Sequence, residues 1–213
     1  MASVSIAGNT SGSVTLSAPD VSGSTTLTLP TTNGTVLTNA STIATSQLSG
    51  SISSASLPAG SVLQVVSTTK SDTWSYTLPN WQDITGLSVS ITPSSSSNKI
   101  LVISNLSYTT TGAASNGYRL VRNSTPISIA NTAGSRPLFS GMNADGNINT
   151  SWIMSSSTTY LDSPSTTSAI TYKVQAFGTY SGVFYVNLSP ADRDASQYDA
   201  RSVSSITVME IKG

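Results

Sequence analysis

Three glycines, Gly12, Gly23 and Gly34, stand 11 residues apart and open three similar units, GSVTLSAPDVS, GSTTLTLPTTN and GTVLTNAS. A leucine holds the fifth position of the first two units (Leu16, Leu27) and a proline the eighth (Pro19, Pro30). The third unit keeps Thr35-Val36-Leu37 but has no proline. Apolar and hydroxyl side chains alternate inside the units: Val14 and Leu16 with Ser13 and Thr15, Leu27 and Leu29 with Thr26 and Thr28. A period of two predicts short strands with one buried face. The prolines end the strands, and Asn33-Gly34 is a two-residue hairpin signal. Residues 3–6 read as a preceding strand of the same kind.

Such a unit offers two or three aliphatic side chains and cannot bury its face alone. Before Lys70 the only charged side chain is Asp20, and the first aromatic is Trp74. A segment of this kind stays a disordered polar arm or orders by packing against copies of itself. The strand pattern favours packing.

Serine and threonine supply 74 of the 213 residues, charged residues only 8%, and the formal net charge is zero. A neutral chain has no electrostatic footprint for nucleic acid or an anionic membrane. Hydroxyl-rich faces suit strands better than helices. At 37% the hydrophobic share is low for a globular chain, which points to interfaces between chains rather than one large private core. No cysteine is present, so neither a disulfide framework nor a thiolate is expected. This suits synthesis in a reducing cytoplasm. MASVSIAGNTSG lacks the basic start and apolar core of a signal peptide. No apolar run approaches the ~20 residues that span a bilayer, so no membrane insertion is expected.

The chain divides into three parts. Residues 1–40 carry the repeat. Residues 41–60 place Ile43, Leu48, Ile52 and Leu57 at steps of 5, 4 and 5 among small polar residues, a spacing that fits neither helix nor strand. A thin multi-chain stalk uses one apolar residue per layer in this way; a flexible linker is the alternative. From residue 61 to 213 the composition is that of a β domain. Val62, Leu63, Val65 and Val66 predict a buried first strand, Leu87, Val89 and Ile91 a second, and the apolar run 100–103 a central one. Residues 118–121, 151–154, 158–161, 183–188 and 205–211 read as further strands, and Ile170, Tyr172, Val174 and Ala176 alternate strictly along another. Eight to ten strands at hairpin spacing without a helix predict an antiparallel β-sandwich, jelly-roll-like in form.

Histidine is absent, which removes the usual general base, the Ser-His pair and most transition-metal sites. Glu210 is the only glutamate. Paired aspartates remain the one route to glycoside hydrolysis. No cofactor or metal is expected, and the turn Asp145-Gly146-Asn147 reads as a hairpin tip. Most of the 14 aromatics belong to the core. Trp74, Tyr76, Trp81 and Tyr180 sit beside Gly, Ser, Asn or Pro and are the candidate sugar or protein contacts. Asp192, Arg193, Asp194, Tyr198, Asp199 and Arg201 form one charged cluster. It reads as a receptor or subunit contact, or as a solvated loop whose signs neutralise one another.

GSVTLSAPDVSGSTTLTLPTTNGTVLT resembles the N-terminal segment common in bacteriophage fibre proteins. The run LPAGSVLQVV at 57–66 is similar to the start of many fibre tip domains, and SITVMEI at 205–211 to their last strand. The resemblance covers both ends and the junction, and extends to the middle only in style. It implies an all-β homotrimer on the surface of a phage particle: residues 1–40 bound to another virion protein, 41–60 a stalk, and 61–213 a head that binds a host surface glycan or protein. A tail fibre is the first expectation; a head fibre or capsid decoration protein is the alternative, and a polysaccharide depolymerase a third.

Overall fold

The computed structural model describes residues 3–7, 13–17, 52–77, 79–112, 115–143, 151–178 and 182–213. Two compact units, 1–51 and 52–213, divide the chain. In the first, β1 (Ser3–Ala7) and β2 (Ser13–Ser17) pair antiparallel, Val4 opposite Leu16 and Ile6 opposite Val14. The expected strands at 27–29 and 35–37 and the positions Ile43 and Leu48 lie outside the described residues.

The second unit is all-β. Its strands are β3 (Val62–Lys70), β4 (Trp74–Thr77), β5 (Gln82–Ile91), β6 (Lys99–Thr110), β7 (Asn116–Arg122), β8 (Thr125–Ile127), β9 (Gly141–Asn143), β10 (Met154–Asp162), β11 (Ile170–Gly178), β12 (Val183–Val186) and β13 (Ser204–Ile211). They form two antiparallel sheets packed as a sandwich. The larger sheet runs β3-β13-β6-β12-β4, with β10 along the other edge of β6. The smaller runs β5-β11-β7-β8, with β9 beside the start of β7. Ahead of β3, residues 52–60 carry only a single 3-10 turn, Ser54–Ser56. This lead is tied to the end of the chain: Lys212 Nζ donates to the carbonyls of Ala55 and Leu57, and Gly60 N donates to Lys212 O.

Strict alternation decides the core. Ile170, Tyr172, Val174 and Ala176 of β11 are all buried, as are Leu87, Val89 and Ile91 of β5. They face Ile100, Val102, Leu106 and Tyr108 of β6 and Ile206 and Val208 of β13. The aromatic centre is a stack of Tyr108 on Phe184, 4.9 Å between centroids and 3° from parallel, with Tyr118 edge-on to Tyr108. The Tyr118 hydroxyl spans the sandwich to Ser156 Oγ (2.7 Å) and Thr158 Oγ1 (2.8 Å) on β10.

Two expected strands differ. Val62 and Val65 of the expected buried first strand are 50% and 55% exposed, whereas Val66 packs on the core. An apolar run must cross the sheet at every second residue, so it cannot be buried throughout when only one face is covered. The segments 151–154 and 158–161 are not two strands: the second belongs to the single nine-residue strand β10, which starts at Met154. Ser155, Ser156 and Ser157 give no hydrophobic signal, yet they continue the register on β6 opposite Ser107, Leu106 and Asn105.

Buried charge joins the layers. Asp162 ends β10 and accepts from Arg122 Nη1 through both oxygens (2.9 Å each) and from the Tyr172 hydroxyl (2.7 Å). Arg122 and Tyr172 belong to the other sheet, so this trio bolts the sandwich at one end. Burial and the Asp162 carboxylate both push the Tyr172 hydroxyl pKa up. Glu210, 1% exposed, accepts from Gln64 Nε2 (2.6 Å), Asn98 Nδ2 (2.6 Å), and Ser94 N and Oγ (2.7 and 2.8 Å). These donors tie the 92–98 loop to β13. Asn187, fully buried at φ 64°, donates to the carbonyls of Lys70 (2.8 Å) and Asp72 (2.9 Å) and accepts from Ser204 Oγ (2.7 Å).

Candidate functional site

The segment between β12 and β13 gathers the charged cluster. Arg193 Nε donates to Asp199 Oδ2 (2.6 Å), and its Nη2 donates to Ser151 Oγ (2.8 Å). Asp199 also accepts from Ser189 Oγ. Arg201 pairs with Asp192, which sits at φ 43° in the left-handed region. The Arg193 guanidinium lies 5.3 Å from the Tyr198 ring centroid. The resulting cleft, about 340 Å³, is lined by Asp192, Arg193, Asp194, Asp199 and Arg201. Arg193 foremost, then Ser189, holds the Asp199 carboxyl below its ordinary pKa. Both arginines here are engaged by aspartates of the same chain; the Arg201–Asp192 pair is exposed and contributes little, whereas the Asp199 side chain is 5% exposed. Among the described residues no group of three His, Cys, Asp or Glu is placed to hold a metal ion.

The aromatic candidates separate. Trp74 stacks on Tyr76 (6.0 Å) and meets Phe184 edge-on (6.5 Å), and both pack against the core. Tyr180 lies outside the described residues. Trp81 is different. It stands on the outer face of the smaller sheet, 4.8 Å from Phe177 and 5.6 Å from Phe139, ring centroid to ring centroid. The Arg119 guanidinium carbon lies 3.8 Å from the centre of its ring. The next row of that face is a polar chain. Asp83, Gln175 and Arg119 are register partners across β5, β11 and β7. Arg119 Nε donates to Gln175 Oε1 (2.9 Å), Gln175 Nε2 to Asp83 Oδ1 (2.6 Å), and Lys173 Nζ to Asp83 Oδ2 (2.7 Å). Burial lowers the Arg119 pKa, with Asp83 acting against it. Burial raises the Asp83 pKa, but bonds from Lys173 and Gln175 outweigh it and leave the carboxyl below its ordinary range.

Only Trp81 of this face was singled out by sequence reasoning. Parity held the missing signal. If Ile170, Tyr172, Val174 and Ala176 face inward, then Lys173, Gln175 and Phe177 face outward, and an outward phenylalanine is out of place on a solvated face. Phe139 lies in a loop and gave no such signal. Its ring occupies the space left by Gly117, where a Cβ would come within 2.7 Å of it.

The outer face of the larger sheet has another character. Val65, Met209, Leu101 and Leu161 are register partners in one row across β3, β13, β6 and β10. Val65 is 55% and Leu161 48% exposed. Ile211 lies opposite Val62 and Lys99 toward one end, and Ser67, Thr207, Ile103 and Thr159 form the row on the other side. Lys99 is the only charged residue in these rows.

No protein-family model matches this chain, and no curated protein matches it. Its two sheet faces are therefore read on their own chemistry: one aliphatic and hydroxyl-bearing, the other aromatic and charged.

Proposed function

We propose that this is a non-enzymatic structural protein of a bacteriophage particle, a homotrimeric tail fibre whose β-sandwich head binds the host cell surface. Residues 1–40 attach it to another virion protein, 41–60 form the stalk and 61–213 the head, built as a jelly roll. The observation that carries this reading is the aliphatic row Val65–Met209–Leu101–Leu161, flanked by Val62, Ile211 and Ile103, on the outer face of the larger sheet. Large side chains in an unbroken row, with Lys99 the one charge in the rows beside it, suit burial against another chain. A closed ring of copies covers such faces without leaving one open for further growth. Three heads binding together turn weak single contacts into avidity.

A non-enzymatic role is supported by how four of the nine acids are spent. Asp162 and Glu210 are committed to buried structural bonds, and Asp83 and Asp199 to neighbouring cations and amide or hydroxyl donors.

Placing Val65→Glu and Leu161→Glu together on the aliphatic row is expected to yield folded monomers, with unchanged far-ultraviolet circular dichroism and one third of the native mass. A folded variant that keeps the wild-type mass would place the contact elsewhere. Gold-labelled antibody on intact particles tests the wider role. Label on fibres agrees with it, label over the capsid faces transfers the protein to shell decoration, and particles without label contradict it.

A further inference from the structure

The outer face of the smaller sheet has a composition that its fold does not require. Three aromatic rings, Trp81, Phe139 and Phe177, stand half-buried within 6 Å of one another outside the core. A sheet face that only meets water needs hydroxyls, as Ser88, Ser90 and Thr171 supply further along. Gly117 is the device that lets the third ring lie down. A Cβ at that position would collide with the Phe139 ring and would stand 2.6 Å from the Gly141 carbonyl oxygen.

Arg119 completes the platform. Its guanidinium carbon stands 3.8 Å over the centre of the indole, and its Nε is fixed by Gln175. Its two terminal nitrogens meet no acceptor among the described residues. The fork is thus oriented on one side and unfilled on the other. Planar guanidinium groups held this way recognise carboxylates through paired hydrogen bonds. Lys173 lies in the adjacent row, so the two cations exceed Asp83 by one charge. Beside them the three half-buried rings offer apolar surface, and Gln175 and Asp83 offer polar groups at its rim. A protein partner would need roughly 1,000 Å² of complementary surface. Beyond this small patch the next row holds Ser88, Lys173, a buried Val121 and Pro126, and the row after it Ser90 and Thr171, so the aromatic surface is small and favours a compact ligand.

We propose that Arg119 and Trp81 form the centre of a binding site for acidic saccharides, the sugar carboxylate on the guanidinium fork and the ring on the Trp81–Phe139–Phe177 platform. The site deepens the host-attachment reading above by naming the face and the chemical class of the surface molecule.

The test is affinity electrophoresis of the purified full chain through gels containing polygalacturonate, alginate, hyaluronan or polysialic acid. Methyl-esterified polygalacturonate and dextran serve as uncharged counterparts. At least one acidic polymer is expected to retard the protein, and a free acidic monosaccharide of the same kind should compete only at far higher concentration if the polymer is the true ligand. Arg119→Gln is expected to weaken retention about tenfold, the loss of a charge-assisted contact. Arg119→Lys should fall between, since it keeps charge without the fork. Trp81→Leu should weaken retention while leaving the Arg119 charge. Arg201→Gln, in the charged loop, should bind as wild type. Thermal melts check that each variant folds; Arg119→Lys carries the test if Arg119→Gln does not. Retention by none of the four acidic polymers overturns the proposal. So does equal retention by the esterified polymer, or a folded Arg119 variant that binds as wild type. The assay reads no virion and no trimer. Binding by a monomer keeps the site and removes the fibre reading; a trimer that binds no acidic sugar does the reverse.

Discussion

Asp162→Ala is expected to destabilise the β-sandwich unit by about 3 kcal/mol, the usual loss when one member of a buried ion pair is removed. The Asp162 side chain is 6% exposed and the Arg122 side chain 27%. Removing the carboxylate strands a guanidinium and a buried phenol hydroxyl together, each of which was desolvated on folding. Because Arg122 and Tyr172 reach Asp162 from the opposite sheet, the loss also loosens the sandwich at that end. A melting temperature roughly 10 °C lower follows for a unit of this size. Tyr172→Phe removes one hydrogen bond alone and should cost about 1 kcal/mol. Chemical denaturation of the three proteins measures both. A loss for Asp162→Ala no greater than that for Tyr172→Phe would mean that the Arg122 contact contributes nothing.

Glu210 gives the second large effect, and it depends on pH. Burial acts to raise its pKa, but the hydrogen bonds from Asn98, Gln64 and Ser94 outweigh burial and leave it below the ordinary 4.5. A carboxyl whose folded value is depressed stabilises the fold above its unfolded pKa. That contribution is lost as pH falls below 4.5 and through the folded value. Glu210→Gln presents an amide NH2 to donors that need an acceptor, and should cost about 2 kcal/mol at neutral pH. The difference between the two proteins should shrink steadily below pH 4.5, as the wild-type carboxyl takes up its proton. Urea midpoints at pH 7 and through the acid range read this directly. A gap that stays constant with pH would show that the carboxylate charge does not carry the effect.

Parity along single strands makes much of this fold legible in the sequence. The inward set Ile170, Tyr172, Val174 and Ala176 is buried as its alternation requires, and so is Leu87, Val89 and Ile91. Parity says which residues share a face. It does not say whether the second face is also covered. That is why Val62 and Val65 read as buried and are exposed, and why Trp74 and Tyr76 read as loop-side contacts yet rest on the core. Long-range partnerships were not legible at all. Arg122 and Asp162 are 40 residues apart, and Ser94 and Glu210 are 116 apart. Local spacing carries no trace of such pairs. The charged loop was visible because Asp192, Arg193, Asp194, Asp199 and Arg201 are close in sequence. The platform was not, because Trp81, Arg119, Phe139 and Phe177 are scattered along the chain and only the fold gathers them. Only Trp81 stood out, and only by its neighbours.

The two outer faces divide the work in this account. On the proposed reading the aliphatic row of the larger sheet would meet other copies of the chain, and the aromatic, Arg119-bearing face of the smaller sheet would take the ligand. The central claim is that the chain assembles with itself, and the native mass of the full chain by light scattering on a sizing column tests it most directly. At micromolar concentration the account predicts a single species of about 66 kDa, three times the 21.9 kDa of one chain. A species of 21.9 kDa over the same range would contradict it.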